Sequence, residues 1–447
     1  MPGYWPHTGD DVDAMLAFLG LGSLDDLFAA VPDSLRLAAP LDLATGVPEP
    51  DAAAHMEDLA AANRPVGREL VCFAGGGAYD HYLPPVTAAL AGRSEFVTSY
   101  TPYQAEVAQG VLQAVFEFQT LLARLAGVEI ANASLYDGAA AVVEAVNLAV
   151  GVTGREDVWL SRGVNPSWRQ VLGTLATGPG HRLVDVPLAG GLTRWPAAGD
   201  APAPAALVVG YPNYLGCIDD LAAARAACDA TGALLVVAFD PIAAGVLRSP
   251  GSWGADVVVG EGQALGLPLA FGGPYLGLFA CRAAHVRRLP GRLVGQTVDA
   301  DGRRAYVTTL RTREQDIRRE RATSNVCTNQ TLMAVTAAIQ LGWLGPGGLA
   351  EVATRCAQGT RYCRDAMLAL DGVEPLADAP VVREFAVRLP ADAATVVDRL
   401  ADDGFLAGIA LGPEYAGNGD GLLVAVTEKR TRREIDAFVA AVGKAVR

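Results

Sequence analysis

The sequence predicts an α/β protein: a large, mostly parallel sheet domain followed by a small C-terminal α+β domain. Three observations carry this. Short β-branched apolar runs such as ALVV (206–209) and LLVVAF (234–239), bounded by turn residues, read as strands buried on both faces. Helical windows such as 219–231 alternate with them, the rhythm of strand–helix–strand units. After Gly348 the rhythm changes to a helix at 349–370, a strand at 382–389, a helix at 392–403, a strand at 421–427 and a closing helix at 431–446. The expected division is an N-terminal helical arm (1–69), the sheet domain (70–345) and the small domain (346–447).

Bulk composition narrows the function classes. With 51% apolar and 19% charged residues in 447, the chain can bury a large core and is not a disordered type. A net charge of −14 leaves no basic stripe for phosphate backbones, so neither nucleic acid nor an anionic membrane surface is an expected partner. No run reaches the roughly 18 consecutive apolar residues of a membrane span. The start, MPGYWPHTGDDVD, lacks the basic and apolar regions of a secretory signal. Seven cysteines (72, 217, 228, 281, 327, 356 and 363) form no CxxC pair and no metal spacing, so reduced thiols and a cytoplasmic location are expected. Of 35 basic residues only two, Lys429 and Lys444, are lysines. A GC-rich genome explains that over the surface.

Taken in order, the arm shows helix starts at Thr8 with Asp11 and at Ser23 with Asp25 and Asp26, then an amphipathic helix at 51–64. The stretch 94–109 (SEFVTSYTPYQAEVAQ) precedes a helix predicted from Ala105. Its Tyr100, Thr101, Tyr103 and Gln104 carry hydrogen-bonding tips on stiff bodies, as in small-molecule pockets, although a polar turn has the same composition. NASLYDGA (132–139) lies between a strand at 128–131 and a long helix. There Ser134, Asp137 and Gly138 either cradle a phosphate on free N–H groups or simply cap the helix. Asp240 ends an apolar strand, at the edge where open α/β sheets bind ligands, or serves an Asp-Pro turn.

The stretch 254–277 reads as strand, loop and glycine turn. In ATSNVCTNQ (322–330), Thr323, Ser324 and Asn325 supply backbone and hydroxyl donors that suit a phosphate, while the arginines of 311–321 read as a solvated helix. Gly75–Gly77 and Gly272–Gly273 lack the GxGxxG spacing and read as turns, which argues against a nicotinamide dehydrogenase. Pro/Gly/Ala breaks fall at 197–204 and 345–348.

Together, GAYDHYLP (77–84), SYTPYQAEVAQG (99–110), NASLYDGA (132–139), GEGQALGLPLAFGGPYLG (260–277), LPGRLVGQT (289–297) and ATSNVCTNQ (322–330) resemble the glycine cleavage system P-protein family, specifically the alpha chains of its two-chain form. The resemblance runs from PHT (6–8) to VTEKRTRREID (426–436), with Gly210 smaller than the family's usual residue.

The resemblance implies the fold-type I scaffold of enzymes that use pyridoxal phosphate (PLP). It also implies that a beta chain supplies the lysine holding PLP, in a heterodimer or heterotetramer. Gln263 stands at the lysine's position, five residues before Pro268, and an amide nitrogen is not a nucleophile. Asp240 matches the aspartate that faces the pyridine ring. Ser134, Asp137, Gly138, Asp240 and Gln263 then line a vestigial pocket. Thr323, Ser324 and Asn325 approach the beta chain's PLP phosphate in trans, and Tyr100, Thr101, Tyr103 and Gln104 line a channel for glycine or the lipoyl arm. The implied activity is PLP-dependent glycine decarboxylation, with transfer of the aminomethyl group to lipoylated H-protein. The alternative is a non-catalytic scaffold or regulatory partner of a PLP enzyme.

Overall fold

Seven strands form the central sheet: Ile130–Ala131 (β1), Asp157–Ser161 (β2), Arg182–Val186 (β3), Ala206–Tyr211 (β4), Leu234–Phe239 (β5), Val257–Glu261 (β6) and Gly277–Cys281 (β7). They lie in the order β1-β7-β6-β5-β4-β2-β3. β7 runs antiparallel to both neighbours; the other pairings are parallel. The computed structural model describes residues 6–39, 41–97, 102–199, 201–417 and 419–447.

Alternation along each strand splits the core in two. Leu207, Val209, Leu235, Val237 and Val258 pack on one face with Phe118 and Leu122 of Gln109–Ala126 (α1). Val208, Val236, Val257 and Val259 pack on the other with Val142 and Val146 of Gly138–Thr153 (α2). Each such side chain contributes roughly 1.5–3 kcal/mol on burial, so a one-residue register slip would be prohibitive. Pro166–Ala176 (α3) and Leu221–Thr231 (α4) complete the crossovers.

The helix Thr331–Leu368 (α5) is interrupted at Gly345, whose φ of 60° with ψ of −178° only glycine adopts readily. The predicted break thus falls at a kink between two helical stretches. α5 is long and apolar enough to cross a membrane by length and composition, but its Ala334, Ala337 and Ala353 pack in one protein core and its Cys363 and Met367 in another.

The C-terminal strands Glu374–Pro375 (β8), Glu384–Arg388 (β9), Ile409–Ala410 (β10) and Gly421–Ala425 (β11) form an antiparallel sheet in the order β8-β9-β11-β10. Ala393–Asp402 (α6) and Arg432–Ala445 (α7) accompany it. Val71–Cys72, expected to open the large domain, instead pairs in parallel with Phe405–Leu406. The cause is Phe73, fully buried and stacked 4.0 Å from Phe438, which ties this strand to the C-terminal core.

Residues divide into two compact units, Met1–Arg64 and Pro65–Arg447. The first holds the helix Gly9–Leu19, closed by the Thr8/Asp11 capping box, a 3-10 turn at Leu24–Phe28 with a Ser23/Asp26 box, and the helix Glu49–Ala61.

Two sequence expectations fail locally. The helix expected from Ala105 begins at Gln109, because Gln104's carbonyl takes the Val107 and Ala108 N–H groups into a turn. The charged run 311–321 is three one-turn pieces rather than one helix, with Leu310 and Arg319 at φ of 54° and 53°.

Candidate functional site

The residues expected to form a cofactor pocket converge at the C-terminal ends of the parallel strands, where α/β sheets bind ligands. They arrive already partnered. α2 begins at Gly138 with Asp137 as its N-cap, whose Oδ1 accepts from Ala140 N at 2.7 Å. The Gly138 N–H donates to Glu261 Oε2 at 2.9 Å, while Glu261 Oε1 accepts from Gln263 N at 3.0 Å and Leu276 N at 2.9 Å. Burial raises the Glu261 carboxyl to about 7 despite these three N–H donors. Ser134 departs from its expected place: its Oγ accepts from Asn329 Nδ2 at 3.1 Å and Gln330 N at 3.2 Å, so it faces the start of α5 rather than a phosphate.

Asp240 follows β5. Its Oδ1 accepts from Ile242 N at 2.8 Å, and its Oδ2 lies 2.7 Å from Arg383 Nε. This corrects the expectation that the carboxylate faces an open ring site: Arg383, just ahead of β9 and 4% exposed, has taken it. The guanidinium carbon sits 3.4 Å over the Tyr79 ring, and Nη1 lies 2.6 Å from His81 Nε2. Burial opposes the Arg383 charge, but Asp240, Tyr79 and Glu384 outweigh it and raise its pKa. Tyr79 Oη donates to Glu384 Oε2 at 2.6 Å, and Gly76 N donates to Oε1 at 2.6 Å. Burial lifts both Tyr79 and Glu384 above their ordinary values.

Gln263 is 2% exposed, and its amide is fully engaged. Oε1 accepts from Tyr79 N at 2.9 Å, while Nε2 donates to Tyr79 O at 3.2 Å and Leu267 O at 2.9 Å. The cavity left beside Tyr79, Trp168, Asp240, Glu261 and Arg383 is about 80 Å³. That is room for a few waters, against the roughly 300 Å³ or more of ligand pockets. These residues do not fit PLP.

The network continues away from the sheet. Because Arg383 only donates, His81 Nε2 must accept, which leaves Nδ1–H to donate to Glu428 Oε2 at 2.6 Å. Burial works against the Glu428 charge, yet His81 and the Tyr82 N–H hold it down at about 2. Cys356 Sγ lies 3.6 Å from the same oxygen. Ligand-type atoms of His81, Cys356 and Glu428 fall within 4.8 Å of one another, but the Arg383 charge beside the imidazole disfavours a cation there. A larger cavity, about 770 Å³, borders His81 and Glu428 on the side of Tyr82, Trp343 and Arg355.

The remaining expected residues form a second cluster. Tyr103 Oη bonds Asn329 Oδ1, and Arg292 lies 4.0 Å over its ring. Gln104 is exposed; Tyr100 and Thr101 lie outside the described residues. Thr323 and Asn325 are exposed, whereas the Ser324 hydroxyl turns to Glu144 and to Val326 N. Tyr103 and Asn329 border a cavity of about 150 Å³ with Thr328 and Thr331. Sequence reasoning missed Tyr79, His81, Glu261, Arg383, Glu384 and Glu428. The available signal was the adjacent Arg383–Glu384 pair opening an apolar strand, where charges are costly unless paired.

The sheet order, with one antiparallel strand and a carboxylate at the β5 edge, defines the fold-type I class of PLP-dependent enzymes. Solved structures share this fold: sphingosine-1-phosphate lyase from Burkholderia pseudomallei K96243 (TM-score 0.66, 16% identity, 93% of this chain and 94% of that chain) and alanine–glyoxylate aminotransferase from Nostoc sp. (0.60, 17%, 86% and 97%). Within that class the chain belongs to the glycine cleavage system P-protein family, whose model matches residues 2–442. It is 47% identical over 440 residues to "Probable glycine dehydrogenase (decarboxylating) subunit 1" of Moorella thermoacetica, covering 98% of both chains, and 45% identical over 444 residues to the protein of that name in Desulforamulus reducens, again covering 98% of both. A crystal structure of glycine decarboxylase (P-protein) of the glycine cleavage system, in inhibitor-bound form, superposes with a TM-score of 0.92 at 45% identity, covering 99% of this chain and 100% of that one.

Proposed function

We propose that this chain is the alpha subunit of a two-chain glycine dehydrogenase (decarboxylating), and that a beta subunit holds the PLP covalently. The observation that carries this reading is the filled pocket: the family's fold is kept, while the amide of Gln263, the residue the resemblance puts at the lysine's position, is bonded to Tyr79 and Leu267. Neither of the two lysines lines that pocket. Lys429 Nζ pairs with Asp80 Oδ1 at 2.5 Å, and Lys444 is exposed on α7.

PLP supplies the electron sink that lets glycine lose CO₂, and the aminomethyl group passes to the lipoyl arm of H-protein. The role of this chain is to complete the partner's site. Exposed Thr323 and Asn325 offer donors to the partner's PLP phosphate. Ser324 holds their loop through Val326 N at 3.1 Å. Tyr103, fixed by Asn329 and Arg292, shapes the channel wall together with exposed Gln104; Tyr100 and Thr101 are assigned to the same wall by the resemblance alone.

The test mixes the chain with its beta partner, lipoylated H-protein, PLP and glycine, and follows exchange of labelled bicarbonate into glycine. Activity is expected only with both chains. A partner fully active by itself, or activity from this chain alone, would refute the assignment. In the complex, Asn325→Ala is expected to weaken PLP binding about tenfold or more, since a hydrogen bond to a charged group is worth roughly 1.5–3 kcal/mol.

A further inference from the structure

The absence of a lysine is only one of three features that close the pocket. A PLP molecule offers a scaffold of this class three handles: a pyridinium nitrogen for the β5 carboxylate, a phosphate for the N–H groups at a helix start, and an aldehyde for a lysine. Here each receiving group already has a neighbour from within the chain. Arg383 Nε stands 2.7 Å from Asp240, and its planar guanidinium stacks 3.4 Å from the Tyr79 ring. Glu261 Oε2 takes the Gly138 N–H at 2.9 Å, and Asp137 takes Ala140 N at 2.7 Å, so both amides at the start of α2 already face carboxyl oxygens. Gln263 is bonded at both atoms of its amide to the Tyr79 backbone.

We infer that Arg383 and Glu261 are built-in substitutes for the two ends of the cofactor, one for the pyridinium and one for the phosphate, and that they exclude PLP independently of the absent lysine. The inference rests on the subunit reading above and deepens it. A phosphate would have to displace the Glu261 oxygen from the Gly138 N–H and the Asp137 oxygen from the Ala140 N–H. A ring nitrogen would meet Arg383, whose removal would strand Asp240 and leave His81 Nε2 without its donor.

The experiment uses the full chain and counts PLP trapped per chain, after borohydride reduction, by mass spectrometry. Gln263→Lys supplies an amine that can condense with the aldehyde, releasing water. This variant alone is expected to trap little PLP. The triple variant Gln263→Lys/Glu261→Ser/Arg383→Gln is expected to trap at least ten times more. Equal loading of the single and triple variants would overturn the inference, as would a folded triple variant that loads no better than the single.

Circular dichroism reports whether the triple variant folds. If it does not, hydrogen exchange on the wild-type chain decides: the Gly138 amide is expected to be protected without any anion and unaffected by millimolar PLP, and PLP-dependent slowing there would refute the substitution. Reconstituted glycine decarboxylation reads the subunit assignment separately. Its failure with the loading pattern intact would sink that assignment and spare the pocket argument.

Discussion

Asp240 is a largely buried carboxylate with Arg383 Nε 2.7 Å from one oxygen and two backbone N–H groups donating to the other. Removing one partner of a buried pair strands the other, so Asp240→Asn is expected to cost roughly 3–5 kcal/mol in urea unfolding; a loss below about 1 would show the pair to be idle. Glu261 sets a pH dependence. Its folded-state value, raised from 4.5 to about 7, means the native chain holds the proton more tightly than the unfolded one. Stability from this group is therefore highest below pH 4.5 and falls as pH rises through 7, by on the order of 3 kcal/mol. Burial raises Glu384 too, which adds to the same slope. Glu261→Gln is expected to flatten the dependence of the urea midpoint between about pH 5 and 8; an unchanged slope would place the titration elsewhere. At this scale the sequence shows which residue types end which strands, so Asp240 and Gln263 were legible as positions. It does not show that Arg383 and Tyr79, far away in the chain, arrive to fill them, since that pairing is set by how the C-terminal sheet docks.

Elements whose signals are local were legible nearly to the residue. β5 spans the run LLVVAF as read, and α6 and α7 fall within one residue of their expected bounds, because Asp392 and Thr431 cap them through their own side chains. Elements shaped by distant neighbours were not: β1 is two residues long and exists because β7 pairs with it, and Val71–Cys72 joins Phe405–Leu406 for the sake of Phe73. The break was legible as a Pro/Gly run at 345–348, and the structure has a non-helical kink at Gly345 between two helical stretches. Gly345→Ala forces a side chain into a glycine-only conformation and is expected to lower stability by about 1–3 kcal/mol. Gly210 answers the resemblance's one departure. A Cβ there would lie 2.8 Å from Gly163 O and 2.9 Å from Asn213 Cα, so the loops after β2 and β4 close onto this strand end. Gly210→Ala is accordingly expected to cost about 1–3 kcal/mol by thermal unfolding, and a neutral result would mean the loops yield freely.

For the whole molecule, the strand–helix rhythm was enough to read the fold class, whereas the closure of the pocket appears only when the two sheets are assembled. That closure has a stoichiometric consequence for the complex. If both chains of a P-protein kept working pockets, each alpha–beta pair would hold two PLP molecules. With about 80 Å³ left beside Asp240, and with Arg383 and Glu261 occupying the receiving groups, this chain is expected to contribute none. The purified complex, saturated with PLP, desalted and assayed by alkaline release, is expected to carry one PLP per alpha–beta pair. Borohydride reduction is expected to place the whole label on the beta chain. Two per pair, or any label on this chain, would mean that its pocket opens on assembly, and the division of labour between the subunits would have to be abandoned.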